Sequence, residues 1–157
     1  MLNRLIIVFF SLVIFLPFSS AFAALDYGKQ TLIGQDFSKS DLQGATFYLA
    51  DLQNADLSES DLEGASLFGA KLENANLSDT NLRDVTLDSA VLDGTNLTNA
   101  VLENAFAFNA RFNNVKITGA DFTNVPFSKN ELKTLCLEAD GINPYTKRET
   151  RTSLGCE

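Results

Sequence analysis

The sequence predicts an all-β solenoid of about five four-sided coils, closed at its C-terminal end by a short α-helical cap. Three observations lead to this prediction. Residues 30–129 form an unbroken series of five-residue groups, each with one large apolar position. The remaining positions of each group are mostly small or polar. The series ends at Lys129, where the sequence changes to one typical of a helix start.

In these five-residue groups, called pentads below, the third place supplies the interior side chain. It is Leu, Phe or Ile in nineteen of the twenty pentads, and Ala107 is the exception. The first place is Ala, Val, Ser or Thr in eighteen pentads, with Gln30 and Gln35 as the exceptions. The other three places are mostly Asp, Asn, Ser, Thr, Gly, Lys and Glu. One narrow apolar line therefore runs through the whole repeat region.

The five-residue period fits neither a helix nor a strand. On an α-helix, five steps of about 100° would place successive third-place residues about 140° apart. In a flat strand they would alternate between the two faces. If the chain turns one corner in each pentad, four corners close a coil of twenty residues and every third-place side chain points to one axis. Coils stacked about 4.8 Å apart would give a rod roughly 24 Å long.

The first 23 residues are predicted to be a cleaved signal peptide. Arg4 forms a basic n-region, residues 5–16 form an apolar h-region, and residues 21–23 (Ala-Phe-Ala) fit cleavage after Ala23. A single membrane anchor is the alternative, but twelve apolar residues are too few to cross a bilayer. The mature protein would then begin near Ala24, leave the cytoplasm and have no stable membrane insertion.

Residues 24–129 are predicted to form the solenoid and residues 130–157 the cap. Ser128 and Glu131 have the spacing of a capping box, which predicts a helix beginning at Lys129. Gly141 is a suitable residue to stop that helix, and Asn143-Pro144 is suited to a turn. A cap of this kind covers the core and the unpaired backbone at the end of a solenoid.

The two cysteines, Cys136 and Cys156, both lie in the predicted cap. An even pair in an exported protein indicates a disulfide, with two free thiols as the alternative. A second short helix around Glu149–Leu154 would bring Cys156 back to Cys136. Closing a loop of about 20 residues would stabilise the fold by about 3 kcal/mol.

Composition and charge exclude several classes of function. Twenty acidic and twelve basic residues give a net charge of −8, which argues against binding to nucleic acid or anionic lipid. The chain has no histidine, no glycine-rich phosphate loop and no metal-ligand motif. We therefore expect no enzymatic activity, no cofactor and no metal site. Stacked Asp36–Asp56 and Asp41–Asp61 would permit a weak cation site or raised pKa values, but a solvated acidic face is the favoured interpretation.

Aromatic residues recur on one face of the predicted coil. The fourth-place residues Tyr48, Phe68 and Phe108 lie twenty or forty residues apart, and Phe106 is adjacent to Phe108. A stripe of exposed aromatics on a polar rod is a candidate surface for a protein partner. The alternative is packing, with Phe108 under the cap and Tyr48 and Phe68 as a local stacked pair. Ala107, which precedes Phe127 by one coil, is interpreted as making room for that ring or for the cap.

The pentads, of the form A(D/N)LXX, resemble those of the pentapeptide-repeat proteins. That resemblance covers about 100 residues and implies a right-handed quadrilateral β-helix, also called the repeated five-residues fold. The tail resembles the ending of exported cyanobacterial and chloroplast members, which implies the thylakoid lumen or the periplasm. The matching tail residues are Cys136, Gly141, Asn143, Pro144, Thr146, Thr150, Arg151, Ser153, Leu154 and Cys156.

The resulting functional hypothesis is a non-enzymatic interaction or scaffold protein. A rigid rod presents its side chains at fixed spacing to a protein partner, whose identity the sequence leaves open, and self-association is a further possibility. The alternative, implied by the same resemblance, is an acidic DNA mimic that interacts with a topoisomerase. That alternative requires that the leader is not used for export.

Overall fold

The computed structural model describes residues 25–157. The predicted signal peptide, residues 1–23, lies outside the described residues. Within residues 25–157, no helix is long and apolar enough to cross a membrane.

Isolated parallel β-bridges hold the coils together. They join second-place residues twenty positions apart and recur every five residues, from Asp26↔Thr46 to Val101↔Asp121. Twenty residues therefore make one four-sided coil. Within residues 25–157 the regular elements are two helices, and the bridges do not extend into longer strands. The reason is that each side of the coil contributes one bridging residue before the next corner begins.

The corners explain the polar part of the repeat. The fifth place of every pentad from Lys29 to Asn124 has a positive φ. The corner is closed by a hydrogen bond such as that from Ala45 N to Leu42 O, at 3.0 Å. A positive φ at the third residue of such a turn favours Gly and Asn, which adopt the left-handed region at low cost. The period of five thus reflects the backbone of the corner as well as the core.

Each side of a coil is hydrogen-bonded to the coil above it in the same way. On one side, Leu67 N donates to Thr86 O at 2.7 Å and Gly69 N donates to Asp88 O at 2.9 Å. In the opposite direction, Thr86 N donates to Ala65 O at 3.0 Å. Backbone groups inside the stack are therefore paired between coils, as burial requires.

The core consists of the third-place side chains with the small first-place residues beside them. Leu52, Leu72 and Leu92 are fully buried, and so are the alanines at the first place, such as Ala50 and Ala70. Removing such side chains from water is the main stabilising contribution of the rod. The single apolar line of the sequence is the interior of the solenoid.

The regular coil begins one pentad earlier than the sequence pattern predicts. Asp26 bridges to Thr46, and Lys29 occupies a corner with a φ of 60°. The Tyr27 ring stacks on the Phe47 ring with 4.9 Å between centroids. The first place of this pentad is Leu25. Because Leu25 is larger than the usual first-place residues, the sequence pattern did not include residues 25–29 as a pentad.

The last pentad of the pattern, residues 125–129, makes neither a bridge nor a left-handed corner. Its second place is Pro126, which has no N–H group to donate to the coil below. The chain therefore leaves the coil after Asn124 and enters the cap.

The cap contains helices α1, Lys129–Glu138, and α2, Thr150–Leu154. The predicted capping box is confirmed: Glu131 N donates to the Ser128 side chain, and the Glu131 side chain accepts from Ser128 N. Leu135 and Leu154 are buried against the fifth coil. The predicted disulfide between the two cysteines is also present, with 5.7 Å between the Cα atoms.

Gly141 has a different role from the one predicted. α1 ends at Glu138, with Ala139 as its C-cap in an extended conformation. Gly141 has a φ of 84°, and a Cβ at this position would lie 2.9 Å from Gly119 N. The absence of a side chain thus lets the cap backbone approach the fifth coil closely.

Candidate functional site

The four aromatic residues of the predicted partner surface all lie exposed on the rod. Their exposed fractions are 39% for Tyr48, 37% for Phe68, 51% for Phe106 and 58% for Phe108. Phe108 is therefore not covered by the cap. The fourth-place side chains point outward because the third-place side chain of the same pentad occupies the interior. The structure divides the four residues into two patches along one face.

The lower patch consists of Tyr48, Leu49 and Phe68. The Tyr48 and Phe68 rings are stacked, with 5.6 Å between centroids and an angle of 21° between their planes. Lys29 Nζ lies 5.8 Å from the centroid of the Tyr48 ring, within the range of a cation–π contact. The local stacking proposed as an alternative is thus present, and both rings still keep more than a third of their surface exposed.

Leu49 belongs to the lower patch but was not predicted as a site residue. It is 46% exposed and occupies a corner with a φ of 53°. Its side chain covers Gly69, since a Cβ on that glycine would lie 2.6 Å from Leu49 Cδ2. The signal was present in the sequence, because a leucine is unusual at a place otherwise filled mainly by Gly, Asn and Asp.

The upper patch consists of Phe106 and Phe108, beside Pro126. Asp88 Oδ1 in the coil below accepts a hydrogen bond from Phe108 N at 2.8 Å. That aspartate is the fourth-place residue between Phe68 and Phe108, so a charged side chain separates the two patches. A partner that contacts both patches must accommodate this carboxylate.

Ala107 lies between the two phenylalanines of the upper patch and is buried. Below it in the same register are the larger side chains of Leu87 and Leu67. The Phe127 ring packs edge-on against Phe112 at 5.4 Å and against Phe122 at 5.8 Å. The large ring at the end of the core is therefore accommodated by the neighbouring sides of the coil, and Ala107 lines a groove below it.

The stacked acidic residues are stabilised by hydrogen bonds. Asp36 and Asp56 have pKa values below the ordinary value, chiefly because the side chain and backbone of Ser38 or Ser58 donate to them. Asn76 Nδ2 continues the ladder by donating to Asp56 Oδ1 at 3.1 Å. The expectation that their pKa values could be raised is therefore wrong for this pair. No cluster of metal-ligating side chains occurs within residues 25–157.

A polar latch, which the sequence did not reveal, joins the cap to the fourth and fifth coils. Arg148 Nη1 donates to Glu103 at 3.0 Å and to Asp121 at 3.1 Å. The side chain of Asn143 is fully buried and donates to three backbone carbonyls, of which Gly119 O is the nearest at 2.8 Å. These contacts fix the cap on the end of the rod.

Comparison with protein families matches the repeat region. A family model described as pentapeptide repeats matches residues 31–64, 65–104 and 90–128, in eight copies. These matches extend over more than half of the chain. A comparison with the curated proteins found no match.

Among solved structures, the chain is similar to a pentapeptide repeat protein from the Arabidopsis thaliana thylakoid lumen. The identity is 40%, the match covers 83% of this chain and 90% of that chain, and the TM-score is 0.82. The high coverage of both chains means that the likeness includes the cap as well as the coils.

Two cyanobacterial proteins match less closely. HetL from Nostoc, described as involved in the regulation of heterocyst differentiation, has 28% identity, coverage of 62% of this chain and 52% of that chain, and a TM-score of 0.48. Rfr23 from Cyanothece has 29% identity, coverage of 66% and 64%, and a TM-score of 0.43. At these TM-scores nothing about the function of this chain follows from either protein.

Proposed function

The chain belongs to the pentapeptide-repeat family, and on that premise we propose that it is a non-enzymatic scaffold that binds a protein partner in an exported compartment. The observation that supports this proposal is the placement of Tyr48, Phe68, Phe106 and Phe108, all exposed on one face of the rod. Exposed aromatic residues are enriched among the side chains that dominate protein–protein binding. The right-handed quadrilateral β-helix of the family would present them as a rigid surface.

Three features support the exported compartment. The sequence begins with the pattern of a signal peptide. The cap is closed by a disulfide, a bond that persists mainly in oxidising compartments. The similar Arabidopsis protein is described as coming from the thylakoid lumen. We propose the thylakoid lumen or the periplasm, and cleavage after Ala23 would give a mature chain that begins at Ala24.

The DNA-mimic alternative is not favoured. In the upper half of the rod, basic side chains interrupt the acidic surface and form ion pairs with its carboxylates. Arg83 Nε lies 3.4 Å from Glu103 Oε2, and Arg111 Nη2 lies 3.1 Å from Asp93 Oδ2. A surface whose carboxylates are partly neutralised in this way is a poor imitation of the regular charge of a DNA duplex. An export signal would also separate the protein from any topoisomerase.

The test is capture of a partner by tagged protein from the exported soluble fraction of the source organism. We expect that a Tyr48→Ser/Phe68→Ser variant, with its fold checked by circular dichroism, loses a partner that the unaltered protein retains. Leu137→Ser is the matched control, because Leu137 is an exposed apolar residue on α1, outside both patches. Equal capture by all three proteins would remove the lower patch from the proposed surface. Mass spectrometry of the exported protein tests cleavage after Ala23.

A further inference from the structure

The first coil, residues 25–44, forms the end of the rod opposite the cap. We call its surface that faces away from the second coil the lower end. The interior side chains of Tyr27, Leu32 and Phe37 are only half-buried here, whereas every third-place side chain of the second coil is fully buried. The core of the solenoid is therefore partly exposed at the lower end.

The apolar surface of the lower end is rich in aromatic rings. The Tyr27 ring lies edge-on to the Phe37 ring, with 5.4 Å between centroids, and both rings contact Phe47 in the coil above. Leu25 and Ile33 of the same coil are 47% and 48% exposed. Apolar surface concentrated at one end of a polar rod indicates an interaction site.

The backbone of the lower end has hydrogen-bonding groups that the equivalent residues of the higher coils use. A second-place residue of a higher coil directs both its N–H and its C=O at the coil below: Thr46 N donates to Leu25 O at 2.8 Å, and Thr46 O accepts from Tyr27 N at 2.7 Å. The second-place residues of the first coil are Asp26, Thr31, Asp36 and Asp41. Within residues 25–157 none of their N–H groups donates a hydrogen bond, and of their carbonyls only Asp26 O accepts one, from the Gln30 side chain.

A free N–H and a free C=O on the same residue are the groups that an antiparallel pair requires. In a hydrogen-bonded antiparallel pair, two opposite residues exchange both bonds. A second copy of the chain, turned over by a two-fold axis perpendicular to the rod, presents the same residues on sides that run in the opposite direction. The lower end is therefore complementary to itself.

Cleavage after Ala23, as proposed above, would leave too little chain to cover the lower end. Ala24 alone would precede Leu25, and a single residue spans at most about 3.6 Å, less than one five-residue side of the coil. At the opposite end of the rod, α1 and α2 cover the fifth coil and block a head-to-tail stack of coils. Contact between two lower ends joins two copies and leaves no open end.

The distribution of charge also favours contact between two lower ends. The first coil carries three carboxylates and two lysines, and the α-amino group of Ala24 would add a third positive charge. The second coil, residues 45–64, carries five carboxylates and no lysine or arginine. Electrostatic repulsion between two copies of this acidic chain is therefore weaker at the lower end than at the sides of the second coil.

From these observations we propose that two copies of the mature chain join at their lower ends as a two-fold symmetric dimer. Second-place residues of the two first coils exchange backbone hydrogen bonds as antiparallel pairs. The side chains of Tyr27, Leu32 and Phe37 in each copy are covered by the other copy. The resulting rod has a cap at both ends. This inference rests on the proposed function in one respect, which is cleavage after Ala23.

The test uses the full chain exported to the periplasm of a bacterial host, with mass spectrometry to establish that it begins at Ala24. Sedimentation velocity between about 1 μM and about 1 mM covers the affinities expected of a small interface. We expect a monomer–dimer equilibrium in this range. Small-angle X-ray scattering of the dimer should give a particle about twice as long as the monomer, because the rods join end to end.

Thr31→Pro is the decisive variant. Proline has no N–H group, and in the described part of the chain the N–H of Thr31 makes no hydrogen bond that folding would lose. The bonds from Leu32 N to Asp51 O and from Asp51 N to Gln30 O, which hold this side to the second coil, are retained. Because two-fold symmetry doubles the effect of a substitution, we expect dimerisation to weaken by at least about tenfold. Thr31→Ala, which keeps the N–H group, is the matched control and should dimerise as the unaltered protein does.

Amide hydrogen exchange tests the same surface without a substitution. In the unaltered protein, the amides of Asp26, Thr31, Asp36 and Asp41 should exchange more slowly at about 1 mM than at about 10 μM. The amide of Leu67, which is bonded between the third and fourth coils, should exchange at the same rate at both concentrations. This measurement decides the matter if the unfolding midpoint of Thr31→Pro shows that the variant does not fold.

Two results would overturn this inference alone. One is a chain that begins at Ala24 and stays monomeric up to about 1 mM. The other is a dimer that has the length of one rod, or that forms without protection of the four amides. A chain that keeps residues before Ala24 would overturn the proposed cleavage together with this inference. Capture of a partner by the aromatic patches is a separate measurement, which Tyr48→Ser/Phe68→Ser tests.

Discussion

Arg148 in the cap donates a hydrogen bond to Asp121 in the fifth coil, with 3.1 Å between Nη1 and Oδ2. The aspartate is fully buried, and Oδ1 of the same carboxylate accepts from the backbone and hydroxyl of Thr123. A buried carboxylate of this kind is tolerated only with such partners. The pair therefore makes the position of the cap depend on a charge within the coil.

Replacing Asp121 should destabilise the cap. Asp121→Asn removes the charge that Arg148 contacts while it keeps the shape of the side chain, and we expect a loss of about 1–3 kcal/mol in the free energy of unfolding. Denaturant unfolding measures this. Asp36→Asn is the matched control, because Asp36 also occupies a second place and accepts from the backbone two residues on, but is exposed. Equal losses of unfolding free energy in the two variants would show that the buried contact with Arg148 contributes nothing to stability.

The same pair predicts a pH dependence. Burial by itself raises the pKa of Asp121, but hydrogen bonds from Thr123 and Thr146 and the charge of Arg148 outweigh it and hold the pKa below its ordinary value. A lowered pKa in the folded state stabilises the protein above the unfolded-state pKa, and this contribution disappears as the pH falls through the folded-state value. We expect the stability difference between the unaltered protein and Asp121→Asn to narrow below about pH 4. A difference that stays constant from about pH 7 to about pH 3 would contradict this.

Asn143 should be sensitive to the exchange of an amide for a carboxylate. Its Nδ2 lies 2.8 Å from Gly119 O and 3.1 Å from Asn99 O, and its Oδ1 accepts from Tyr145 N at 2.9 Å. Asn143→Ala leaves these backbone groups without their partner and should cost about 1–3 kcal/mol. Asn143→Asp should cost more, because a carboxylate oxygen would then face the carbonyl oxygens. Thermal unfolding of both variants measures which of them is less stable. A lower stability of Asn143→Ala than of Asn143→Asp would contradict the expected repulsion between the carboxylate and the carbonyl oxygens.

The latch residues also show where sequence reasoning stops. The coil could be predicted, because the corner and the core both recur with the same period and every pentad repeats the signal. The start of α1 could be predicted because Ser128 and Glu131 are three residues apart. The contacts of Arg148 and Asn143 could not, since they join residues 27 and 43 positions apart and depend on how the cap is oriented.

The candidate surface was predictable in part. The outward direction of Tyr48, Phe68 and Phe108 follows from their place in the pentad. The stacking of Tyr48 on Phe68 and the contact of Leu49 with Gly69 depend on side-chain conformations, which the repeat does not specify. The end of the bridging after Asn124 was not predicted, although Pro126, which has no N–H group, was a signal that the next bridge would be missing.

Two glycine corners provide a test of the lower patch. Gly64→Ala introduces a side chain where φ is +66° and no other atom lies within 4 Å, so it should cost only the left-handed strain, about 1–2 kcal/mol. Gly69→Ala has the same strain and also displaces Leu49 Cδ2, for a further cost of about 0.5–1.5 kcal/mol. The excess should vanish in a Leu49→Ala background. If it persists there, a backbone shift and not the Leu49 contact is responsible.

Removal of the disulfide should loosen the cap more than the coils. Cys136 and Cys156 are twenty residues apart, and opening the loop should lower the free energy of unfolding by about 3 kcal/mol. We expect the Cys136→Ser/Cys156→Ser variant to show this loss with the far-ultraviolet circular dichroism of the coils retained. Hydrogen exchange should accelerate in α1 and α2 while amides such as Leu67 N, which bond between coils, stay protected.

The remaining contacts of the cap decide how far it opens. Without the disulfide, the bond from Arg151 Nη1 to Cys136 O at 2.8 Å still joins α2 to α1, and the pair between Arg148 and Asp121 still joins the cap to the coil. The unaltered protein in reductant should behave as the double serine variant does, and reductant should have no effect on that variant. If hydrogen exchange instead accelerated equally in the coils, the cap would be required for the integrity of the whole rod. In that case, loss of the cap would let the backbone hydrogen bonds between coils open one coil after another.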